Sequence, residues 1–382
     1  MKIKRILSAT LAAAMLLCCC ALTACASKPA VPTATDFEVQ PGAYRYQDMG
    51  DFFVETEQGQ YYLGWDQIIR FAEPGSRAFY PLCNKPNCGH GGEDCNAYTD
   101  YALGYWNGHL YTTTYGDNGP VVMRMDMDGA NHREVGQLPF LTAVDGARHA
   151  SGELLFHNGS LFYMYDAIET DPEWAMSIYQ FDLETGKGRW LFQEDIPLHT
   201  VWPADSVSIS NGYIYFPMPQ AGTSECAFAE GNLETGRIEL VFEDWDEMNS
   251  AVVNFDNVLY YHHAGIGLCE YDKATGTETV KVPMDVYYAS VSYTKDYIFL
   301  RTRDSADFNQ CVLLAYDRDY NLLGKLELEK IGLRFPFLEY TTANAIYLSA
   351  DGGTITHYID TSDLSNLELL PMPDTSNARA HG

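Results

Sequence analysis

Apolar positions along this chain come in short runs, and most runs close on Gly, Asn or Asp. Within the runs apolar and polar residues alternate, which is the period of a β-strand with one buried face. Long stretches with the 3.6-residue period of an amphipathic helix are hard to find. A turn followed by a small aromatic strand recurs seven times, at Gly59-Gln60-Tyr61-Tyr62, Gly108-His109-Leu110-Tyr111, Gly159-Ser160-Leu161-Phe162, Gly212-Tyr213-Ile214-Tyr215, Asn257-Val258-Leu259-Tyr260, Asp296-Tyr297-Ile298-Phe299 and Asn344-Ala345-Ile346-Tyr347. The last residues of these quartets lie 49, 51, 53, 45, 39 and 48 positions apart. Asn107-Gly108, Asn158-Gly159 and Asn211-Gly212 predict tight hairpins, because both residues tolerate positive φ.

A second marker follows each quartet: a strand ending in Asp or Asn, then a turn. The clearest copies are Asp182-Leu183-Glu184-Thr185-Gly186, Asn232-Leu233-Glu234-Thr235-Gly236 and Asp272-Lys273-Ala274-Thr275-Gly276. Weaker copies begin at Asp126, Asp317 and Asp360, and the first repeat has Glu73-Pro74-Gly75-Ser76 instead. Each unit therefore reads as four antiparallel strands, the pattern of a propeller blade. The chain is expected to be all-β, with a single β-propeller of four-stranded blades over 43–372. Seven blades is the reading; six follows if a terminal unit only completes a neighbour, and eight stays open. Ala43-Tyr44-Arg45-Tyr46 and Leu367-Glu368-Leu369-Leu370 are candidates for a strand that closes the ring.

The run Val122-Met123-Arg124-Met125-Asp126-Met127-Asp128-Gly129-Ala130-Asn131-His132-Arg133 resembles the Asp-Gly turn repeat of TolB-like propellers, closely in this blade and loosely elsewhere. The resemblance implies fold and no TolB activity. Asp126, Asp128 and Gly129 also suggest a calcium loop, but the rest of that ligand series is absent, so the run reads as a turn.

One segment breaks the β-pattern. Lys2, Lys4 and Arg5 precede an unbroken apolar stretch from Ile6 to about Leu22, which ends in Leu22-Thr23-Ala24-Cys25. Charge, apolar run and small residues in this order are those of an export signal. Leu-Thr-Ala-Cys resembles the bacterial lipobox, which implies cleavage before Cys25 and lipid, palmitate included, on its thiol. An ordinary signal peptide or an uncleaved anchor are the alternatives. The expected organisation is a leader at 1–24, lipidated Cys25 with a Pro-containing flexible tether at 25–42, the propeller, and a disordered tail at 373–382. The expected location is the extracytoplasmic face of a cell membrane.

Charge narrows the partners. The chain carries 24 Lys and Arg against 52 Asp and Glu, net −28. Cleavage removes three basic residues and no acidic one, which leaves 21 against 52, net −31. Such a surface repels nucleic acid and bare anionic lipid.

The sharpest local feature lies between the first and second repeats. Cys83, Cys88, His90 and Cys95 form the pattern C-x4-C-x-H-x4-C within 13 residues, with Pro86, Gly89, Gly91 and Gly92 to let the chain fold back. Three thiols and one imidazole are the donor set of a closed, structural zinc site. A disulfide between two of the cysteines is the alternative, since secretion favours disulfides, and free thiols are a third. Leader, cluster and repeats together resemble lipoprotein propellers of anaerobic Gram-positive bacteria, a family whose resemblance implies no agreed activity and hence no catalytic residue.

The cluster sits in a blade-to-blade connection, on the face that also carries the loops joining second and third strands. The long members of that set, Asp166 to Ala175, Pro217 to Ser224 and Arg303 to Asn309, make this face the expected working surface. Other features carry less. Cys226, Cys269 and Cys311 sit at strand offsets that do not favour mutual disulfides, and read as buried thiols. His262 and His263 are adjacent on a strand and point to opposite faces, so they do not share a metal. Trp65, Trp106, Trp174, Trp190, Trp202 and Trp245 do not recur at one repeat position. Sialidase, serine-hydrolase and HExxH motifs are missing. The leading expectation is a non-catalytic module that binds or scaffolds a protein, glycan or small ligand. An extracellular carbohydrate-active hydrolase or lyase, and a metal-dependent or redox-sensing surface protein, are the alternatives.

Overall fold

The predicted strands begin where the quartets place them. In the computed structural model, second strands start at Gly59, His109, Ser160, Tyr213, Val258, Tyr297 and Ala345. The structure describes residues 52–92, 94–139, 141–142, 148–149, 152–165, 177–191, 207–219, 226–245, 252–255, 257–294, 296–303, 311–328, 337–342, 344–349 and 355–375. The leader, Cys25, the tether and the segment at 43–46 lie outside these residues, as do 376–382 of the tail.

Seven four-stranded antiparallel sheets follow one another, each built from consecutive strands. Blade 1 comprises Phe53–Thr56, Gly59–Leu63, Ile69–Ala72 and Tyr80–Pro81. Blade 2 runs from Tyr101–Trp106 to Arg133–Gln137, and blade 3 from Gly152–His157 to Lys187–Leu191. Blade 4 runs from Ser208–Ser210 to Ile238–Phe242, blade 5 from Val253–Phe255 to Thr277–Pro283, and blade 6 from Tyr288–Tyr293 to Leu322–Glu327. Blade 7 comprises Phe337–Thr341, Ala345–Ser349, Ile355–Asp360 and Leu369–Pro371. A two-stranded pair, Leu141–Thr142 with Arg148–His149, lies between blades 2 and 3. Leu364–Asn366 forms a turn of 3-10 helix, and helix is otherwise nearly absent from the described residues.

The turn chemistry is that of the sequence markers. Asn107, Asn158 and Asn211 have φ of 47°, 46° and 50°, each followed by a Gly at 80°, 73° and 78°. At the second marker the side chain caps its own turn. Asp182 Oδ1 accepts from the backbone N–H of Glu184 and Thr185 at 3.0 and 2.7 Å, and Asn232 Oδ1 does the same for Glu234 and Thr235 at 3.0 and 2.8 Å. Asp126 is likewise spent on its own turn, where it accepts from Asn131 Nδ2 at 2.6 Å.

Burial falls outward from the axis. The second strands Gly59–Leu63 and Ala345–Ser349 are buried at every position, while the outer strand Thr277–Pro283 is exposed at nearly all of its positions. Seven apolar clusters fill the seven interfaces between neighbouring blades. The seventh joins Phe53, Tyr62, Ala72 and Phe79 of blade 1 to Tyr340, Ala345, Tyr347 and Ile355 of blade 7, so the ring is closed.

Closure differs from one expectation. Leu369–Pro371 is the outer strand of blade 7 itself, paired with Ile355–Asp360, and does not cross to blade 1. Side chains close the seam. Phe53 stacks on Tyr340 with centroids 4.5 Å apart, and Tyr347 donates its hydroxyl to Gln60 at 2.5 Å.

Blade-to-blade connections and second-to-third-strand loops share one face, here termed the connection face. In blade 1, Ile69 N–H donates to Ala97 O at 2.8 Å and Thr99 N–H to Gln67 O at 3.0 Å. In blade 5, Gly265 N–H donates to Val286 O at 2.8 Å and Met284 N–H to Ile266 O at 3.0 Å. Of the long loops expected there, 166–175, 220–225 and 304–309 lie outside the described residues. Pro217 and Arg303 belong to strands.

Candidate metal centre

The Cys/His loop starts where blade 1 stops short. The fourth strand, Tyr80–Pro81, has two residues, and proline offers no N–H to extend the ladder. Leu82 still donates to Ile69 O at 2.8 Å, after which the chain turns away. Asn87, His90 and Gly92 take φ of 61°, 50° and 97°, conformations that bend the loop back on itself. Cys88 N–H donates to Lys85 O at 3.3 Å and Cys95 N–H to Gly92 O at 3.0 Å. Lys85 Nζ spans the loop to Asp94 O at 2.6 Å.

These turns bring all four predicted donors together. One ligand atom from each of Cys83, Cys88, His90 and Cys95 lies within 4.8 Å of every other. Cys95 Sγ and His90 Nδ1 are 3.8 Å apart. All three thiols are free. Cys83 and Cys95 are buried, while Cys88 and His90 are half-buried.

Backbone amides point at the sulfurs. Ala97 N–H donates to Cys95 Sγ at 3.4 Å. The N–H groups of Lys85 and Asn96 approach Cys83. In both Cys83 and Cys95 the donor two residues on is aimed back at the sulfur, an outer shell that disperses thiolate charge. Burial works to raise the Cys83 pKa, but the Lys85 and Asn96 amides and the Cys95 and Cys88 thiols bring it below the ordinary thiol value. Burial pushes Cys95 up to about 12, with the neighbouring Cys88 and Cys83 adding to the rise and the Ala97 amide opposing it. Four soft or borderline donors at this spacing fit a tetrahedral cation, with no fifth protein donor required.

The loop fills the outer seam between blades 1 and 2. Cys83 and Cys95 belong to one apolar cluster with Ile68, Ile69 and Leu82 of blade 1 and Leu103, Leu110 and Met125 of blade 2, and Cys88 and Met127 pack against it. Gly129, at φ 77°, brings the next blade's turn so close to Leu82 that a Cβ would sit 2.5 Å from its carbonyl oxygen.

The other sequence candidates divide. Cys269 and Cys311 are buried free thiols, as expected, whereas the Cys226 side chain lies outside the described residues. His262 is buried and His263 half-exposed, so the adjacent pair does point apart. Yet His263 has partners that adjacency does not reveal. Its ligand atom and those of Cys269 and Glu278 lie within 4.8 Å of one another, brought together from three strands of blade 5. The signal available in the sequence was the alternation Tyr261, His263 with Cys269, but the register that adds Glu278 is not readable from one strand.

Three of the four exposed aromatic rings among the described residues lie on the connection face. Trp65 lies in the loop after Gly59–Leu63, Tyr115 in the corresponding loop of blade 2, and Tyr287 in the connection after blade 5; they are 59%, 62% and 47% exposed. Ile266 is exposed beside Tyr287. Tyr105 is the fourth exposed aromatic among the described residues, and it sits at the opposite end of its blade.

No protein-family model matches the chain, and no curated protein matches it. Among solved structures, the computationally designed Ika8 protein aligns over 83% of this chain and 98% of its own, with 11% identity and a TM-score of 0.44. BamB from Moraxella catarrhalis aligns over 83% and 87%, with 11% identity and a TM-score of 0.41. At these values neither likeness carries an argument about what the chain does.

Proposed function

We propose that this chain is a lipid-anchored, extracytoplasmic binding propeller whose connection face recognises a glycan of the cell envelope, with a structural zinc ion on Cys83, Cys88, His90 and Cys95 to brace that face. The observation that carries the reading is the placement of exposed rings. Trp65, Tyr115 and Tyr287 stand on one face, and rings of this kind stack on the apolar faces of sugars while carboxylates nearby accept their hydroxyls. Asp66 and Asp100 flank the first two: Asp66 is paired with Arg70, and Asp100 Oδ2 accepts from Tyr115 N–H at 3.0 Å. The acidic surface favours neutral or cationic ligands over anionic ones.

Anchoring rests on the Leu22-Thr23-Ala24-Cys25 run. The propeller begins on the same face: Phe52, at the start of the first strand, accepts at its carbonyl from Leu63 N–H at 2.8 Å, beside the Trp65 loop. A chain arriving there from lipidated Cys25 holds the recognition face toward the membrane it is anchored in.

The test is a glycan and peptide array probed with the full chain in its Cys25→Ser form. Trp65→Ala and Tyr115→Ala should each lower binding about tenfold or more, the range of one to a few kcal/mol per lost stacking contact. Native-level binding by both variants would refute the face assignment. In cells, Cys25→Ser should move the protein from the membrane fraction to the soluble one, and no shift would refute the anchor.

A further inference from the structure

The group at His263, Cys269 and Glu278 is independent of the Cys/His loop and lies in a different blade. It is built by three strands of blade 5: Val258–His263, Gly267–Asp272 and Thr277–Pro283. Tyr261 opposes Cys269 across the first pair, so Tyr261, His263 and Cys269 share a face. The tight turn after Asp272 sets Tyr271 opposite Glu278, and this register puts Glu278 on that face as well. The same register sets Cys269 opposite Val280. Alternation along the outer strand therefore puts Lys281 on the other face, where its Nζ pairs with Glu270 at 2.9 Å and lies over the Tyr320 ring. The nearest cation of the strand points away from the group.

We propose that His263, Cys269 and Glu278 form a second metal site, an open one for a borderline divalent cation such as zinc, with its fourth position facing solvent. The donors are already gathered, with His263 Nδ1 at 3.1 Å from Glu278 Oε2 and all three ligand atoms within 4.8 Å. One thiolate and one carboxylate neutralise a dication, which suits a site walled by Trp245, Phe242 and Tyr261. Tyr261 donates its hydroxyl to Glu278, the outer contact that holds a ligating carboxylate in place. Cys269 is fully buried, whereas the His263 and Glu278 side chains retain 29% and 31% exposure. Water or a small ligand therefore reaches the site from the His263 and Glu278 side. Three protein ligands and one exchangeable position distinguish it from the closed four-donor loop.

Without a cation, burial and the Glu278 charge push the Cys269 thiol up to about 12. Binding near neutral pH therefore releases the thiol proton to solvent as the sulfur–metal bond forms. His263 lies two residues before Gly265, whose N–H donates to Val286 O at 2.8 Å next to the exposed Tyr287.

The test is titration of the full, reduced chain with cobalt(II), following thiolate-to-cobalt absorption and quenching of Trp245, whose ring centroid is 5.2 Å from that of Tyr261. The expected stoichiometry is two. Cys269→Ala and His263→Ala should each reduce it to one, and Glu278→Gln should weaken the second equivalent at least tenfold. Cys88→Ser should remove the other equivalent and leave the Trp245 quench. These four variants separate this site from the Cys/His loop, since either can fail alone. If Cys88→Ser does not fold, Cys269→Ala and Glu278→Gln in the native background still decide the matter. A native stoichiometry of one that Cys269→Ala leaves unchanged would overturn the proposal and leave the three residues as an ion pair with a buried thiol.

Discussion

The residues that carry chemistry here differ in how far apart their partners are in the chain. Cys83, Cys88, His90 and Cys95 were legible because all four donors and the glycines that fold them lie in one loop, so spacing alone implied a common centre. His263, Cys269 and Glu278 were not, because their meeting depends on the register of three strands, which no local pattern announces. The geometry of the first group predicts its response to mutation. On the proposed zinc site, Cys88→Ser removes one of four donors, so zinc content measured by elemental analysis should fall by one equivalent, with thermal stability lowered by several degrees. Unchanged stability would deny the loop a structural role. The turn residues make a second, smaller prediction. The Thr185 amide, opposed by slight burial and helped by the Thr185 hydroxyl and Glu184 amide, holds the Asp182 carboxyl below its ordinary value. A carboxyl depressed by folding stabilises the protein above the unfolded carboxyl's range, and that contribution is lost as pH falls through the lowered value. Asn232 makes the same turn with no charge to titrate. Asp182→Asn should therefore leave the urea midpoint at pH 7 nearly unchanged and flatten its loss below about pH 4, an effect of tenths of a kcal/mol for so exposed a group. An equally steep loss in the variant would show that the turn carboxyl does not contribute.

At the scale of the strand and the blade, what the sequence displayed was turn chemistry, and what it concealed was packing. The Asn-Gly pairs and the Asx turns located both hairpins of blades 2, 3 and 4 because each demands a particular φ or a particular side-chain acceptor. Strand length had no such marker. The outer strand of blade 1 has only two residues, and the first strand of blade 4 only three, because tertiary contacts end them. The Cys/His loop follows that short outer strand and packs between blades 1 and 2. A propeller edge left bare would invite pairing with another chain, so the packed loop serves the same purpose as a longer strand. Close approach between blades also falls on residues that sequence reading passes over. Gly324, on the outer strand of blade 6, lies against the 3-10 turn of blade 7, where an added Cβ would stand 2.0 Å from Leu364 O and 3.0 Å from Leu367 Cδ1. The first of these is backbone and cannot rotate away. Gly324→Ala should destabilise the protein by about 1–3 kcal/mol, the cost of overpacking, and denaturant unfolding measures it. A neutral result would mean that the turn yields without loss.

Over the whole molecule, the ring is held by seven interfaces of similar build, but one of them carries a different entropic burden. Six join blades that are neighbours in sequence, whereas the seventh joins Gln60 to Tyr347 across 287 positions. Many propellers relieve this by borrowing a strand from the far end of the chain, and the terminal segment at Leu367–Leu370 suggested the same here. Instead the described strands stay within their own blades, and among the described residues the contacts across the seam run through side chains. Arg77 Nη1 donates to the Tyr347 hydroxyl at 3.3 Å, and Tyr347 donates onward to Gln60 Oε1. Arg77 Nη2 also reaches Asn344 O at 3.0 Å. Tyr347→Phe keeps the ring and its packing but leaves Gln60 Oε1 without this donor, at a cost of about 1–3 kcal/mol for a buried acceptor. Tyr215→Phe at the blade 4–5 interface is the matched control, since its hydroxyl accepts from Asn254 Nδ2 at 2.7 Å. Both should lower global stability by similar amounts. They should part company in native-state hydrogen exchange, because blades 4 and 5 stay joined by adjacent chain while blades 1 and 7 do not. Amides of the strands Gly59–Leu63 and Ala345–Ser349 should lose protection selectively in Tyr347→Phe, through an opening smaller than global unfolding. Uniform loss around the ring in both variants would show instead that the seam opens only when the whole propeller does.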